Sequence, residues 1–584
     1  ALQGESYLGV GTHLKYYINE GGGYNDITPI RETTAAGAVT FAAVNGSSTL
    51  TITDSNHGAS ENDFVTFSGA ASLGGVITAA VLNQEYQVSR IVSTNAFEVV
   101  AREVASLNDI TIDGQYTPTP VVANGSDTGN GGGSIVGKYQ ITVGLDTTVS
   151  GAGWGAGTWS RGTWGSAANL TAVGDTLRIW SHDNFGEDLI INVRNGGIYY
   201  WDKSTSSAPF APAVALSDLA GADPTTPTIA KQVMISDRDR HVIVFGCDAQ
   251  DNIGVQDPLL IRFSDQENPL VWSAQATNTA GDLRIGTGSE IITAVETRQQ
   301  ILVFTDKSLH AMQYLGPPFT FGISMLSENI TIASPLAAIA VDDMVMWMGE
   351  QEFYIYSGQV QKLPCSVRSY VFNDFNQDQA EKVTAAVNSS YSEIWWFYPS
   401  ATVTNGLMNQ NIDKYVVYNY QEKVWYYGNL ARSAWIDRGI GQYPIAASLD
   451  GYLYYHEFGN DDGSVNPPAG ITSYIESSQM SLGAGDNFVL LSKLIPDVTF
   501  DGSSSPSPNV DFTFQTRRFP GSAYDQTTVS DIIRSSTVPV EQFTDQVRLR
   551  MRGRSFALKI ESDNTGVEWR LGTPRVELRP DGRR

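Results

Sequence analysis

Four arginines near the end of the chain, Arg548, Arg550, Arg552 and Arg554, stand at every second position of QVRLRMRGRSFALKIESD. Alternate side chains of an extended strand share a face. Val547, Leu549 and Met551 therefore point one way, and the arginines form a single exposed row on the other. Such a row suits phosphates or the carboxylates of a protein partner, because each guanidinium offers a planar fork of N–H donors. From Gln546 to Arg584 there are ten basic and five acidic residues, about +5, so a chain of formal net charge −25 carries about −30 elsewhere. The arginines sit in a strand pattern and not in a disordered run, which favours docking on an acidic neighbour. Ordinary nucleic-acid affinity needs clustered Lys and Arg that displace counterions, and the charge of the whole chain argues against it.

A second candidate is aromatic. Trp154, Trp159 and Trp164 recur at five-residue spacing in GWGAGTWSRGTWG. The segment could stack sugars or bases. Packing along one rim of a β structure, with the glycines admitting close backbone approach, is the favoured reading. Carboxylate pairs at Asp237/Asp239, Asp265/Glu267 and Asp461/Asp462 lie in turn sequences, where Asp bonds to nearby backbone. His57 beside Gly58 reads as a loop residue, and the six histidines have no metal-ligand spacing. Cys247 and Cys365 are far apart and read as buried thiols. Phosphate-loop, nucleophile-elbow and zinc-protease motifs are lacking, and Ser448-Leu449-Asp450-Gly451 is only a partial match to a sialidase-type box. The expectation is a non-enzymatic protein with no catalytic residues, no cofactor and no metal.

The elements that position these residues are strands. Glu290 to Leu363 contains short β-branched and aromatic runs cut at Arg298-Gln299-Gln300, Asp306-Lys307, Asp342-Asp343, Gly349-Glu350 and Ser357-Gly358. Two antiparallel meanders back to back suggest a radial repeat of small sheets. Asn195-Gly196-Gly197 is a strong hairpin signal, and about five or six sheet units follow one another to Phe458. The fold class expected is all-β: a β-propeller-like core, an inserted small β-barrel or sandwich near the N-terminus, and a C-terminal β-sandwich. Residues 1–34 supply strands that complete the propeller, 35–137 form the inserted domain, 138–460 the propeller-like domain, and 471–584 the sandwich with its basic strand.

The bulk numbers are compatible with this. A chain of 584 residues exceeds one core and fits about three or four domains. No run approaches the length of a membrane-spanning helix, and the start has no basic, then apolar, leader pattern.

Several long segments together resemble a known family. GWGAGTWSRGTWG, DNFGEDLIINVRNGGIYYWD, RFSDQENPLVW, TGSEIITAVETRQQILVFTDKSLHAMQYLGPP and VRLRMRGRSFALKIESDNTGVEWRLGTPRVELRPDGRR are similar to the tail nozzle (tail tube, or stabilisation) proteins of short-tailed double-stranded DNA bacteriophages. The resemblance covers roughly residues 140–584. It implies a virion structural protein of the phage tail, assembled in the host cytoplasm as a six-fold homo-oligomeric ring below the tail adaptor or hub. Tail fibres are possible partners, and genomic DNA would pass through without specific binding. An acidic wall suits that role, since phosphate contacts would hold the duplex in place. The alternative from another class is a receptor- or glycan-binding propeller protein of a phage tail, with the tryptophan segment as its stacking surface.

Overall fold

The computed structural model describes residues 2–3 (backbone only), 7–104, 119–148, 176–204, 210–439, 441–481, 487–517 and 535–582. The protein is all-β: among these residues the only α-helices are the short Ala79–Leu82 and Arg368–Asn373. Its contacts divide it into two compact units, Ala1–Leu453 and Tyr454–Arg584.

Among the described residues, the first unit carries seven antiparallel sheets of three or four strands that follow one another in sequence, besides an inserted sheet and two two-stranded ones. The stretch from Glu290 to Leu363 supplies two of them. The fourth sheet is Ile291–Glu296, Ile301–Thr305, Ser308–Gly316 and Thr320–Glu328; the fifth is Ala338–Val341, Met344–Met348, Phe353–Tyr356 and Val360–Leu363. Asp342, in one of the expected turns, takes a left-handed φ of 53°, and Asn195 does so at 59° in the turn that joins Asp188–Val193 to Ile198–Trp201. Asn and Asp tolerate this conformation better than other residues with a side chain.

Each sheet packs on the next through its own apolar core. Tyr16 and Ile18 meet Leu189 and Trp201 between the first and second sheets, and Ile190 meets Val233 and Val244 between the second and third. Phe245 meets Val303, Phe304 meets Trp347, and Phe353 meets Trp396 in the next three interfaces. Phe397 with Trp435 closes the series between the sixth and seventh. The second strand of a sheet is thus covered on both faces, and Val242–Phe245 and Ile301–Thr305 are buried throughout. This is why such strands read as continuous apolar runs and not as alternating ones.

The sheets converge along their first strands. Arg194, in the turn between the second and third strands of the second sheet, donates from Nη1 to the carbonyl of Ile292 in the fourth at 2.8 Å. In a flat stack those two layers would stand about 20 Å apart. Thr148 and the Gln379 amide exchange two hydrogen bonds of 2.9 and 2.7 Å across more than twice that length of chain. Such contacts suit sheets fanned about a common line.

Residues 1–34 supply a sheet of their own: Leu2–Gln3, Leu8–Gly11, Tyr16–Glu20 and Gly23–Asp26 pair among themselves as the first sheet. The connections are short, so each strand finds its sequence neighbour before any distant partner. Between the first and second sheets the chain leaves to form a seven-stranded sheet around one core, with strand order Ile30–Thr33, Val136–Gln140, Phe64–Ser68, Glu85–Ser93, Ala96–Val100, Thr49–Thr53 and Thr40–Ala43. Phe41 on one edge strand lies 5.0 Å from Phe67 on an inner strand, so the sheet curls on itself.

In the second unit, Asn509–Arg517, Ser535–Glu541 and Ser555–Ser562 belong to one sheet, and Val547–Gly553, Val489–Ile495 and Arg575–Pro580 form another. Leu491, Leu494, Phe512, Phe514 and Ile560 fill the space between them.

Candidate functional site

The arginine row lies on Val547–Gly553, an edge strand of the three-stranded sheet. Arg548, Arg550 and Arg552 are exposed, while Val547 is buried and Leu549 and Met551 pack against the core. Arg554 falls just past the strand, half-buried, with its guanidinium 5.2 Å from the Phe488 ring. Arg552 lies 4.3 Å from the same ring and bonds Asp581 from Nε at 2.5 Å.

Register extends the row into a face. Lys493 pairs with Arg548 across the strands, Leu490 with both Arg552 and Arg579, and Ile495 with Arg575. Paired residues point to the same side of an antiparallel sheet. Lys493, Arg548, Arg550, Arg552, Arg575 and Arg579 therefore share one side. Glu577 also lies there, held by Arg579 at 2.6 Å and by Lys493 at 3.9 Å. Arg579 beside it keeps the Glu577 carboxyl below the ordinary range. Sequence reasoning found three of these cations, Arg548, Arg550 and Arg552, on one strand and missed Lys493, Arg575 and Arg579, because only strand pairing places them alongside. Arg548→Ala and Arg550→Ala should each change stability by less than about 0.5 kcal/mol, since exposed charges contribute little; thermal melts would check this.

The other candidates divide. Trp154, Trp159 and Trp164 lie outside the described residues. His57 is buried and satisfied: its Nδ1 accepts from the Ala59 N–H, so Nε2 donates to the Ser93 carbonyl at 3.0 Å. Asp265 accepts from Thr279, Asp461 from the Gly566 N–H, and Asp462 from the Ser464 N–H, which are turn and loop roles. Cys247 is buried with its thiol pushed up by burial, and Cys365 is half-buried. No group of three or more potential metal ligands occurs among the described residues.

One cluster had no signal in the sequence. Asp183 and Glu296 lie on the first strands of the second and fourth sheets, and Asp237 lies two residues past the first strand of the third. Asp183 accepts from the Ile235 and Asn184 N–H groups, both at 2.8 Å, and Glu296 from the Asp237 N–H at 3.2 Å. Burial, then the charge of Asp237, pushes Asp183 up to about 6 and Glu296 up to about 7. Fifty residues and more separate the three in sequence; only the convergence of the sheets assembles them.

Comparison with known proteins adds no family. No family model and no curated protein matches the chain. Among solved structures it is similar to the endosialidase of phage phi92 at 9% identity and a TM-score of 0.18, over 79% of this chain and 64% of that one. The chain thus spans less than two thirds of that protein's length. It is also similar to a variant of the Synechocystis apocarotenoid oxygenase (7% identity, TM-score 0.27, 73% and 87% covered). A third similarity is to a S. cerevisiae structure of Dbp5 with Nup159, Gle1, IP6 and ADP (6% identity, TM-score 0.29, 65% and 88% covered). Similarities this remote carry no functional argument.

Proposed function

We propose that this chain is a structural subunit of the tail nozzle of a short-tailed phage, assembling as a ring through which the genome leaves the virion. The observation that carries the reading is the partition of charge: a formal −25 overall, with a compact basic face on one sheet of the second unit. A conduit for DNA gains from an acidic wall, which repels phosphate within about 8 Å at physiological salt. The seven sheets act as wall material, because their apolar groups are spent on sheet-to-sheet cores. Closure of the seven sheets into a propeller belongs to the same proposal, as do attachment to a tail adaptor or hub, possible contact with fibres, and residence in the virion. The role assigned is not enzymatic. Among the described residues, no helix is long and apolar enough to cross a membrane.

Mass photometry and negative-stain imaging of the full chain test this. Six-fold rings are the expected result, and a monomer at every concentration would overturn it. The second reading, glycan or receptor binding, draws on Tyr370 and Tyr427, which stack at 3.9 Å with both rings partly exposed. Binding on a glycan array that Tyr427→Ala abolishes would favour it.

A further inference from the structure

We propose that Asn405 is a site of spontaneous covalent modification. Its side-chain amide is lost as ammonia through a cyclic imide formed with the Gly406 nitrogen, which leaves aspartate or isoaspartate at the tip of an exposed hairpin. The proposal stands on the single chain and is independent of the ring.

The sequence sets the chemistry and the structure selects the site. In an Asn-Gly step the main-chain nitrogen of the glycine, once deprotonated, attacks the asparagine Cγ. A C–N bond forms, the bond from Cγ to the side-chain nitrogen breaks, and that nitrogen takes up the proton and leaves as ammonia. Glycine favours the attack because no side chain hinders it. Water then opens the imide ring. Cleavage at Cγ restores the ordinary main chain with aspartate, and cleavage at the α-carbonyl routes the main chain through the side chain as isoaspartate. Amide plus water becomes carboxylate plus ammonium, with nothing oxidised or reduced.

Five such steps occur: Asn45-Gly46, Asn124-Gly125, Asn130-Gly131, Asn195-Gly196 and Asn405-Gly406. Four are held. The Gly46 N–H donates to the Ala123 carbonyl at 2.9 Å, and the Gly196 N–H to the Val193 carbonyl at 2.7 Å. Asn124 accepts at Oδ1 from the Ser126 N–H at 2.9 Å and donates its own N–H to the buried Asp127 carboxylate at 2.8 Å. Asn130 accepts at Oδ1 from the Gly132 N–H at 3.1 Å, and Gly131 is buried against Phe41 and Ile135. The Asn405 side chain and the Gly406 N–H make no hydrogen bond to any described residue.

The surrounding strands leave the fifth step free to react. Asn405 and Gly406 take left-handed φ values of 53° and 80° in the two-residue turn that joins Val403–Thr404 to Leu407–Met408. This hairpin lies between the second and third strands of the sixth sheet, Glu393–Pro399 and Ile412–Asn419. Every residue from Thr402 to Met408 is exposed, Leu407 by 76%. A lone two-stranded hairpin is marginal in water, and a segment without a buried face opens far more often than a packed sheet. Opening lets the Asn405 side chain fold back onto the Gly406 nitrogen, which the tight turn restrains. The two products then differ. Aspartate suits the same turn and adds a negative charge. Isoaspartate lengthens the main chain inside the turn, so Thr404 and Leu407 lose their register.

The test is peptide mapping by mass spectrometry during incubation of the full chain at neutral pH. Asn405 should gain one mass unit roughly 10-fold or more faster than each of the other four, and isoaspartyl methyltransferase should label that peptide. In urea all five steps should convert at similar rates, because only the shared Asn-Gly chemistry remains. V403C/M408C bridges the non-hydrogen-bonded pair of the hairpin. Oxidised, it should slow conversion at Asn405 roughly 10-fold, and reduction should restore the rate. Asn405→Gln should abolish conversion there, with melting curves establishing that each variant folds. Earlier conversion at Asn45, Asn124, Asn130 or Asn195 would overturn the proposal. So would the same preference for Asn405 in urea, or equal rates in the oxidised and reduced hairpin.

Discussion

Replacing Lys15 by methionine should destabilise the first unit by about 3–5 kcal/mol, the range for removing one partner from a buried ion pair. Lys15 is buried where the first sheet meets the inserted domain. Its ammonium bonds Asp26 at 2.7 Å and Glu85 at 2.6 Å and sits 4.3 Å from the Phe64 ring. The Gln140 amide donates to both carboxylates at 3.1 Å. Without the ammonium, two carboxylates face each other with one neutral amide between them. Burial alone would lower the Lys15 pKa, but Glu85 and Asp26 outweigh it and the pKa is raised. Burial alone would raise Asp26, but Lys15 and the Thr28 donors outweigh it and the pKa is lowered. The sign follows for each group. The Asp26 contribution is present above its unfolded value of 3.8 and is lost as pH falls through the folded value; that of Lys15 is present below 10.5 and is lost as pH rises through the folded value. The measurement is the urea midpoint of Lys15→Met against the unaltered chain. Glu85→Gln in the same background should recover part of the loss, and a loss unchanged by it would count against the network.

Asp183→Asn should act in the opposite direction at alkaline pH. The Asp183 carboxyl, carried from 3.8 to about 6, binds its proton more tightly in the folded state than in the unfolded one. Its stabilisation is complete below about 4 and is lost as pH rises through about 6, a change on the order of 3 kcal/mol. Asparagine is never charged, so it escapes that loss. It accepts with one oxygen where the carboxylate accepted with two, which costs about 1 kcal/mol. The variant should therefore be more stable than the unaltered chain by about 1–2 kcal/mol at pH 8, and less stable near pH 4. Glu296, up to about 7, adds the same trend, weakened because water reaches it. Carboxylates such as Asp26 and Asp223 with lowered values drive the whole protein the other way. The quantity to measure is thus the difference between the two melting curves across pH; a difference independent of pH would refute the account of Asp183.

These two sites mark how far the sequence could be read. The strands from Ile291 to Leu363 were legible because β-branched and aromatic runs alternate with turn residues over a few positions, and pairing there is between sequence neighbours. The arginine row was legible for the same local reason, the two-residue period of a strand. Lys493 beside Arg548, Glu85 beside Lys15 and Asp183 near Glu296 depend on pairings across dozens of residues. No local signal encodes them. The first sheet follows the local rule as well: its strands pair with sequence neighbours, because short turns favour the neighbour over the distant edge.

The inserted sheet has a consequence for how such chains diversify. Its two outermost segments, Ile30–Thr33 and Val136–Gln140, are antiparallel neighbours, with Thr33 opposite Lys138. The points where the polypeptide departs from the sheet series and rejoins it are thus about one strand spacing, ~5 Å, apart. A hairpin turn could bridge that gap as well as a hundred residues do. The segment is therefore a cassette: between its two anchor strands it can be exchanged or lengthened without altering the register of any of the seven sheets, provided the contact of Glu85 with Lys15 is kept. Selection on its outward surface can then proceed independently of selection on the wall.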